Sequence, residues 1–365
     1  METYLPANGD KDIASMRIMT YMGPRQLRVS EVEDPELKEN EIRIETLFSG
    51  ISHGTEMNVY RGLAPYFRRR QDGELRLFKP AADNERWTYP VRSCDPGVWY
   101  MGYASVGKVA EVGSDVTLIR VGDIVYADAP HQSQIIRKET EVVKLPGTVK
   151  PEHGVFFTNL MTTFNGILDS NIKLGDTVVV SGLGVLGQLL VQMAQLSGAF
   201  QTYGIDVFEK RGEVAIANGA DMVFNPQHGA DIAHEIRKRT DHRGADVVLE
   251  ASGSGKALQE AIRIAAPDTS VIALGWYQGF RHDLDLSEEF HANRITIKSS
   301  QTGGVNVEFR HLWNFKRKQQ AVVELLSRLK LDNLITHKIP YENVADAYEM
   351  VDQTPSEVIQ VVLTY

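Results

Sequence analysis

Between residues 16 and 150 apolar and polar positions alternate in short runs, among them Glu41-Ile42-Arg43-Ile44-Glu45 and Val106-Gly107-Lys108-Val109-Ala110-Glu111-Val112-Gly113. A period of two places successive side chains on opposite faces, so these runs predict half-buried antiparallel strands, with Gly, Pro, Asp and Asn making the turns between them. A barrel-like β module is expected there. From about Thr177 the period changes. Apolar strands are expected at 177–181, 201–206, 222–224, 246–250, 270–274 and 295–298, separated by stretches of helical spacing such as Val185 to Leu196. Six strands with intervening helices predict an α/β fold built on a doubly wound parallel sheet. A helix is expected from Glu308 to Leu329 and a strand from Val358 to Tyr365. No strand–helix unit follows the sixth strand, so this tail is expected to return to the first module. The chain then divides into a β domain, residues 1–168 completed by 306–365, and a parallel-sheet domain, residues 169–305.

Length agrees with two domains, since 365 residues are enough for two separate cores. With 42% hydrophobic and 24% charged residues, a disordered chain is excluded. The formal net charge is −9, and a protein that neutralises nucleic-acid phosphates needs a dominant basic face, so no nucleic-acid partner is expected. No apolar run reaches the length of a membrane span, and residues 1–14 lack an apolar signal core, so a cytoplasmic location without a membrane partner is expected. The single cysteine, Cys94, rules out an internal disulfide and a four-cysteine zinc lobe. It reads as an ordinary loop thiol. Residues 63–100 read as a long irregular stretch containing Arg68, Arg69 and Arg70, either a solvated or subunit-contact surface or a site for an anionic group.

The most informative segment is Thr177-Val178-Val179-Val180-Ser181-Gly182-Leu183-Gly184-Val185-Leu186-Gly187. An apolar strand runs into the glycines, a helical stretch follows, and Asp206 ends the next strand 19 residues after Gly187. This context predicts dinucleotide binding. Gly182 permits the tight turn, Gly184 lets the backbone approach a pyrophosphate, and Gly187 lets the helix pack on the strand. The N–H groups of Val185 and Leu186 at the helix start then face the anion. Asp206 is expected to accept hydrogen bonds from the adenosine ribose and to repel a 2′-phosphate, favouring NAD over NADP. Lys210 and Arg211 either soften that preference or are helix-surface charges.

A larger set of motifs joins the fingerprint: Gly50-Ile51-Ser52-His53-Gly54-Thr55-Glu56, Gly102-Tyr103-Ala104-Ser105-Val106-Gly107, Val121-Gly122-Asp123-Ile124-Val125, and Leu334 to Pro340 with Ala345 to Tyr348. In this order they resemble the medium-chain dehydrogenase/reductase superfamily, of the zinc alcohol dehydrogenase type, over nearly the whole chain. The resemblance implies a chaperonin-10-like β-barrel domain, a Rossmann domain, a cleft between them, and a homodimer or homotetramer. It also points to the metal. The three zinc-ligand positions of that family fall on Ser52 or His53, on Tyr103, and near Thr158 or Asn159, so at most one good ligand, His53, survives. A zinc-free active site is expected. A subgroup that includes bacteriochlorophyllide dehydrogenase-like proteins is similar, with Ile-Ser-x-Gly-Thr-Glu in place of the cysteine motif. Where zinc members carry an arginine near the pyrophosphate on the last strand, this chain has Gln360.

Hydride transfer without a metal still needs a proton acceptor and a group that stabilises a developing alkoxide. The residues at the former ligand positions are the candidates. His53 is expected to titrate near neutral pH and relay a proton with Thr55, and Tyr103 to donate to the carbonyl or alkoxide oxygen. Glu56 is expected to orient His53 or bind substrate, with Asn159 nearby. Plain loop or packing roles are the competing reading for each. Ser252 and Gly253 after the fourth strand, and Gly275, Trp276, Tyr277 and Gln278 after the fifth, are expected along the cofactor at the carboxyl edge of the sheet. The reading is an NAD-dependent alcohol dehydrogenase or ketone reductase acting on a polar secondary alcohol such as a sugar, cyclitol or polyol, a substrate class drawn from family analogy. Two alternatives stand beside it: reduction of an activated C=C bond, and a nucleotide-binding protein without turnover.

Overall fold

The computed structural model describes residues 15–95, 97–277, 279 and 282–365, so Gln278 and the N-terminal segment 1–14 lie outside the described residues. The first half forms two antiparallel sheets. Strands β1 (Ser15–Gly23) and β2 (Gln26–Glu33) make a hairpin, and β6 (Val91–Arg92) joins it along β1. The second sheet runs β10-β8-β7-β3, from Val142–Lys144, Ile124–Ala127, Ser105–Val112 and Glu41–Gly50, with β9 (Gln134–Lys138) also on β3. The short helix α1 (Thr55–Tyr60) follows β3 directly. Segment 63–100 is more ordered than its sequence suggests. It holds a small hairpin, β4 (Arg69–Gln71) with β5 (Phe78–Pro80), and its aromatics pack together, with Tyr66, Trp87 and Tyr100 in mutual contact and Phe67 stacked on Tyr89. All three arginines are exposed: Arg70 pairs with Glu85, Arg69 donates to the Phe78 carbonyl, and the Arg68 side chain makes no such bond among the described residues.

Helix α2 (Phe157–Ser170) leads into six parallel strands in the order β13-β12-β11-β14-β15-β16. These are β11 (Thr177–Ser181), β12 (Gln201–Ile205), β13 (Met222–Phe224), β14 (Ala245–Glu250), β15 (Ala265–Ala273) and β16 (Thr296–Ser299). Helices α3 (Val185–Leu196), α4 (Glu209–Ala217), α5 (Ile232–Arg239), α6 (Gly255–Ile264) and the short α7 (Glu289–Ala292) lie among them. Strand β11 is buried along its whole length, as expected of a strand covered on both faces. Separate apolar clusters fill the two faces, one around Val179, Val248 and Ile262 and the other around Val180, Leu190 and Leu249. The strand order reverses between β11 and β14, and open α/β sheets bind ligands in the crevice at that point.

The tail returns to the first half. Helix α8 (Phe315–Arg328) packs beside α2, and β17 (Ile335–Pro340), α9 (Val344–Gln353) and β18 (Gln360–Thr364) follow. Strand β18 pairs antiparallel with the end of β3, Val362 opposite Gly50. The helix expected from Glu308 starts only at Phe315. Two asparagines divide the segment: Asn306 Oδ1 accepts from Glu308 N at 3.1 Å and closes a single 3-10 turn, and Asn314 Oδ1 accepts from Arg317 N at 2.8 Å and starts the true helix.

Candidate active site

Three backbone loops meet at the carboxyl ends of β11, β14 and β15. Gly182 leaves β11 with φ +87°, and a Cβ there would sit 2.7 Å from Ser252 N. A Cβ on Gly275 would collide with Gly253 N, and one on Gly187 with the Gly182 carbonyl oxygen. Only glycine allows backbones to approach this closely. Gly184 is different: the nearest atom to its Cβ position is Arg211 Nη1 at 4.0 Å, so this glycine leaves open space in front of the turn. Helix α3 starts there with no side-chain cap, leaving the N–H groups of its half-buried first residues, Val185 and Leu186, without a side-chain acceptor.

Asp206, next to the end of β12, is buried and accepts from Leu183 N at 2.7 Å and from Phe208 N at 2.9 Å, so it ties the glycine turn to the β12 loop. Arg211 Nη1 stands 3.8 Å from the same carboxylate. Arg211 and Lys210 are more than surface charges. Arg211 donates to the carbonyls of Pro355 and Val358, and Lys210 to that of Glu357, so both clamp the C-terminal segment onto the parallel-sheet half.

Glu250 is a residue that sequence reasoning missed. It ends β14 fully buried and accepts from Ser252 N at 2.8 Å, Gly253 N at 3.4 Å and the hydroxyls of Ser252 and Tyr277. Burial raises its carboxyl above the usual range, against the four donors that favour the charged form. One side chain thereby fixes both crevice loops, while Trp276 stays 40% exposed above them. The available signal was a carboxylate at the end of an otherwise apolar parallel strand, where an acid is rarely tolerated without partners.

Across from the crevice, the end of β3 and α1 carry the residues expected to replace zinc. Tyr103 donates to Ser52 Oγ at 2.7 Å, and Thr55 also hydrogen-bonds the phenol. Burial first, then the charge of Glu56, raises the Tyr103 pKa well above 10, so the phenol keeps its proton at neutral pH. Tyr126 donates to the Tyr103 carbonyl at 2.8 Å and contacts Thr158 in the first turn of α2, which brings neighbouring Asn159 to the same end of the module. Gln360, on β18, donates to the Ile51 carbonyl at 3.1 Å and so holds the loop that presents Ser52.

Two expectations need correction. Glu56 does not orient His53. It is wholly buried and accepts from Ser52 N at 2.9 Å and Tyr348 Oη at 2.5 Å, and it lies 2.9 Å from His131 Nε2. The first turn of α1 points it inward, beneath the site, where His131 continues the chain of contacts to Ser49 and Tyr365. Nor does His53 titrate near neutrality. Its Nε2 is buried with no partner, and desolvation, followed by the positive charges of Arg211 and Arg61, lowers its pKa to about 3. A depressed imidazole pKa means the unfolded chain binds the extra proton first, so stability tied to His53 is intact above about 6.5 and drains away as pH falls toward 3. His53→Phe should therefore flatten the acid limb of the stability curve between about pH 6.5 and 3. Urea melts at stepped pH values check this, and an unaltered slope would refute a neutral His53.

The donors around Ser52 do not suit zinc. A catalytic zinc takes about three N, S or carboxylate ligands plus an open position. Here the three positions offer a serine hydroxyl or one imidazole, a protonated phenol, and a threonine or amide, while Glu56 is already engaged by its donors. Among the described residues the group with metal-like spacing, Glu152, His153 and Asp332, lies elsewhere, and Lys338 and Lys150 pair with its two carboxylates.

A glycine-lined crevice at the reversal point of a 3-2-1-4-5-6 parallel sheet, in a chain that also carries a β module with Tyr103, Ser52 and Thr55, is the arrangement of the α/β oxidoreductase class. A model of the zinc-binding dehydrogenase family matches residues 185–317. D-guloside 3-dehydrogenase of Escherichia coli K12 is 31% identical over 356 residues, spanning 96% of this chain and 100% of that protein. Among solved structures, 2R,3R-butanediol dehydrogenase of Bacillus subtilis superposes with TM-score 0.77 at 19% identity, over 96% of this chain and 99% of that one. A short-chain alcohol dehydrogenase of E. coli CFT073, in complex with NADH, superposes with TM-score 0.75 at 20% identity, over 96% and 99%. The chain belongs to the medium-chain dehydrogenase/reductase superfamily.

Proposed function

We propose that the protein is an NAD-dependent, zinc-independent dehydrogenase that oxidises a secondary ring hydroxyl of a sugar or glycoside, or reduces the corresponding ketone. The observation that carries this reading is the Tyr103 phenol bonded to Ser52 Oγ at 2.7 Å, two residues at positions that the family resemblance assigns to zinc ligands. The nicotinamide, when bound, supplies the hydride acceptor. Gly182, Gly184 and the first N–H groups of α3 are the groups that bind its pyrophosphate, and Asp206 the ribose. Ser252, Gly253, Gly275, Trp276 and Tyr277, held by Glu250, line the ring end. In oxidation the Tyr103, Ser52 and Thr55 hydroxyls form a relay that passes the substrate proton on to solvent water, each giving up one proton as it takes one, and in reduction the Tyr103 O–H turns from Ser52 to donate to the ketone oxygen. The sugar class is supported by the guloside dehydrogenase relative, which matches over its full length.

The test is NADH formation from methyl D-guloside and a panel of polyols, followed by absorbance. Turnover of none of them would defeat the reading. The coenzyme preference is tested separately: Asp206→Ser removes the charge that opposes a 2′-phosphate and leaves Arg211, now 3.8 Å from that carboxylate, beside it. Its kcat/KM ratio for NADP over NAD should rise at least about tenfold, equivalent to about 1.4 kcal/mol. An unchanged ratio would mean that Asp206 serves the turn alone.

A further inference from the structure

The crevice has two sides. Asp206 follows β12 on one side of β11, while β14 and β15 lie on the other, and Gly182 brings the turn after β11 against Ser252. A dinucleotide laid across the crevice with its adenosine ribose on Asp206 therefore brings its nicotinamide half over the loops after β14 and β15. Those loops meet backbone to backbone. A Cβ on Gly275 would lie 2.4 Å from Gly253 N, and one on Gly253 would lie 3.4 Å from the Trp276 carbonyl oxygen. Among the described residues no backbone hydrogen bond joins 252–254 to 275–277. The Glu250 carboxylate makes the link instead. Its Oε1 accepts from Ser252 N at 2.8 Å and from the Ser252 hydroxyl, and its Oε2 accepts from Gly253 N at 3.4 Å and from the Tyr277 hydroxyl. The same Oε2 lies 3.0 Å from the Gly275 Cβ position, at the contact itself.

We propose that Glu250 is the positioning residue for the nicotinamide half of the cofactor, and that the adenosine half binds independently of it through Asp206 and the glycine turn. The donors around Glu250 call for a carboxylate. Each oxygen faces a backbone N–H, so an isosteric glutamine, in either orientation of its amide, turns its NH2 group onto one of them. A buried N–H left without an acceptor is costly, and the loop that carries it shifts to find one. The adenosine side has separate anchors. Asp206 accepts from Leu183 N and Phe208 N, and Gly182 N donates to the Ile205 carbonyl at 2.8 Å, none of which involves Glu250. Each half of the crevice thus has its own buried strand-end carboxylate holding a pair of backbone N–H groups. Tyr277 belongs to the second of these clamps, and Trp276 is the aromatic that its loop leaves exposed.

The inference rests on the dinucleotide binding proposed above, and ADP-ribose, which lacks the nicotinamide, separates the two. Calorimetry would measure NADH and ADP-ribose binding to wild type, Glu250→Gln and Tyr277→Phe, with a thermal melt on each to establish folding. Glu250→Gln should lose NADH affinity about tenfold or more and keep ADP-ribose affinity within about twofold. Tyr277→Phe removes one donor and keeps the ring, so its loss should be smaller and equally confined to NADH. If Glu250→Gln does not fold, Tyr277→Phe decides alone, and a loss confined to NADH supports the assignment. Equal losses of both ligands, or wild-type NADH affinity in the folded variants, overturn it, while wild-type binding of both ligands keeps the dinucleotide reading. Wild-type protein that binds neither ligand defeats that reading and this inference with it.

Discussion

Gly187→Ala should abolish dinucleotide binding and lower stability together. The added methyl overlaps the Gly182 carbonyl oxygen, and that atom belongs to backbone held between β11 and Ser252, so it has no free direction to yield. Overpacking of this kind costs about 1–3 kcal/mol. Relief requires α3 to move off the turn, which takes its N–H groups away from the pyrophosphate. NADH affinity should fall at least 100-fold, about 2.7 kcal/mol. Gly184→Ala is the informative partner. Its methyl meets nothing closer than Arg211 Nη1 at 4.0 Å, so the fold should tolerate it, yet it fills the space that a pyrophosphate needs. Calorimetry with NADH and thermal melts on both variants should show binding lost twice and stability lost once. Full NADH affinity in Gly187→Ala would contradict the assignment of this turn.

Tyr103→Phe should cut turnover by about 10²–10³-fold and leave NADH affinity within about twofold. Loss of one well-placed donor to a developing oxyanion costs about 2.7–4 kcal/mol, and general acid–base help accounts for about 10²–10⁴ in rate. The ring remains to fill its buried site, so the change removes the hydroxyl, its bond to Ser52 Oγ and its contact with Thr55. The loss should appear in kcat. Ser52→Ala should cost less, since Thr55 still holds the phenol. A Tyr103→Phe enzyme within tenfold of wild type would transfer the proton-handling role to another group.

Much of the fold was legible because parallel strands buried on both faces have to be apolar, and Val178, Val179 and Val180 leave little choice of interpretation. The glycine turn and Asp206 were legible because backbone proximity and strand-end position leave a spacing in the chain. What the spacing hid was direction. Glu56 follows Thr55 in a short motif, yet the first turn of α1 sends it inward to His131, 75 positions away in the sequence, and no local pattern announces that meeting. Glu250 was hidden for the opposite reason: it sits in an ordinary strand, and its role appears only when Ser252, Gly253 and Tyr277 turn back onto it. The neutral state of His53 depends on burial and on Arg211 from another half of the chain. The helix expected from Glu308 begins at Phe315 because Asn306 closes only a single turn and Asn314 caps the helix itself, contacts that helical spacing does not register.

The central claim is that this site carries out alcohol oxidation with side chains in place of a metal, and metal-resolved kinetics tests it most directly. Protein treated with a strong chelator, with zinc measured by mass spectrometry in the assayed sample, should form NADH from its alcohol substrate at the untreated rate with far less than one zinc per chain. Activity that vanishes with the metal and returns in proportion to added zinc would contradict the account.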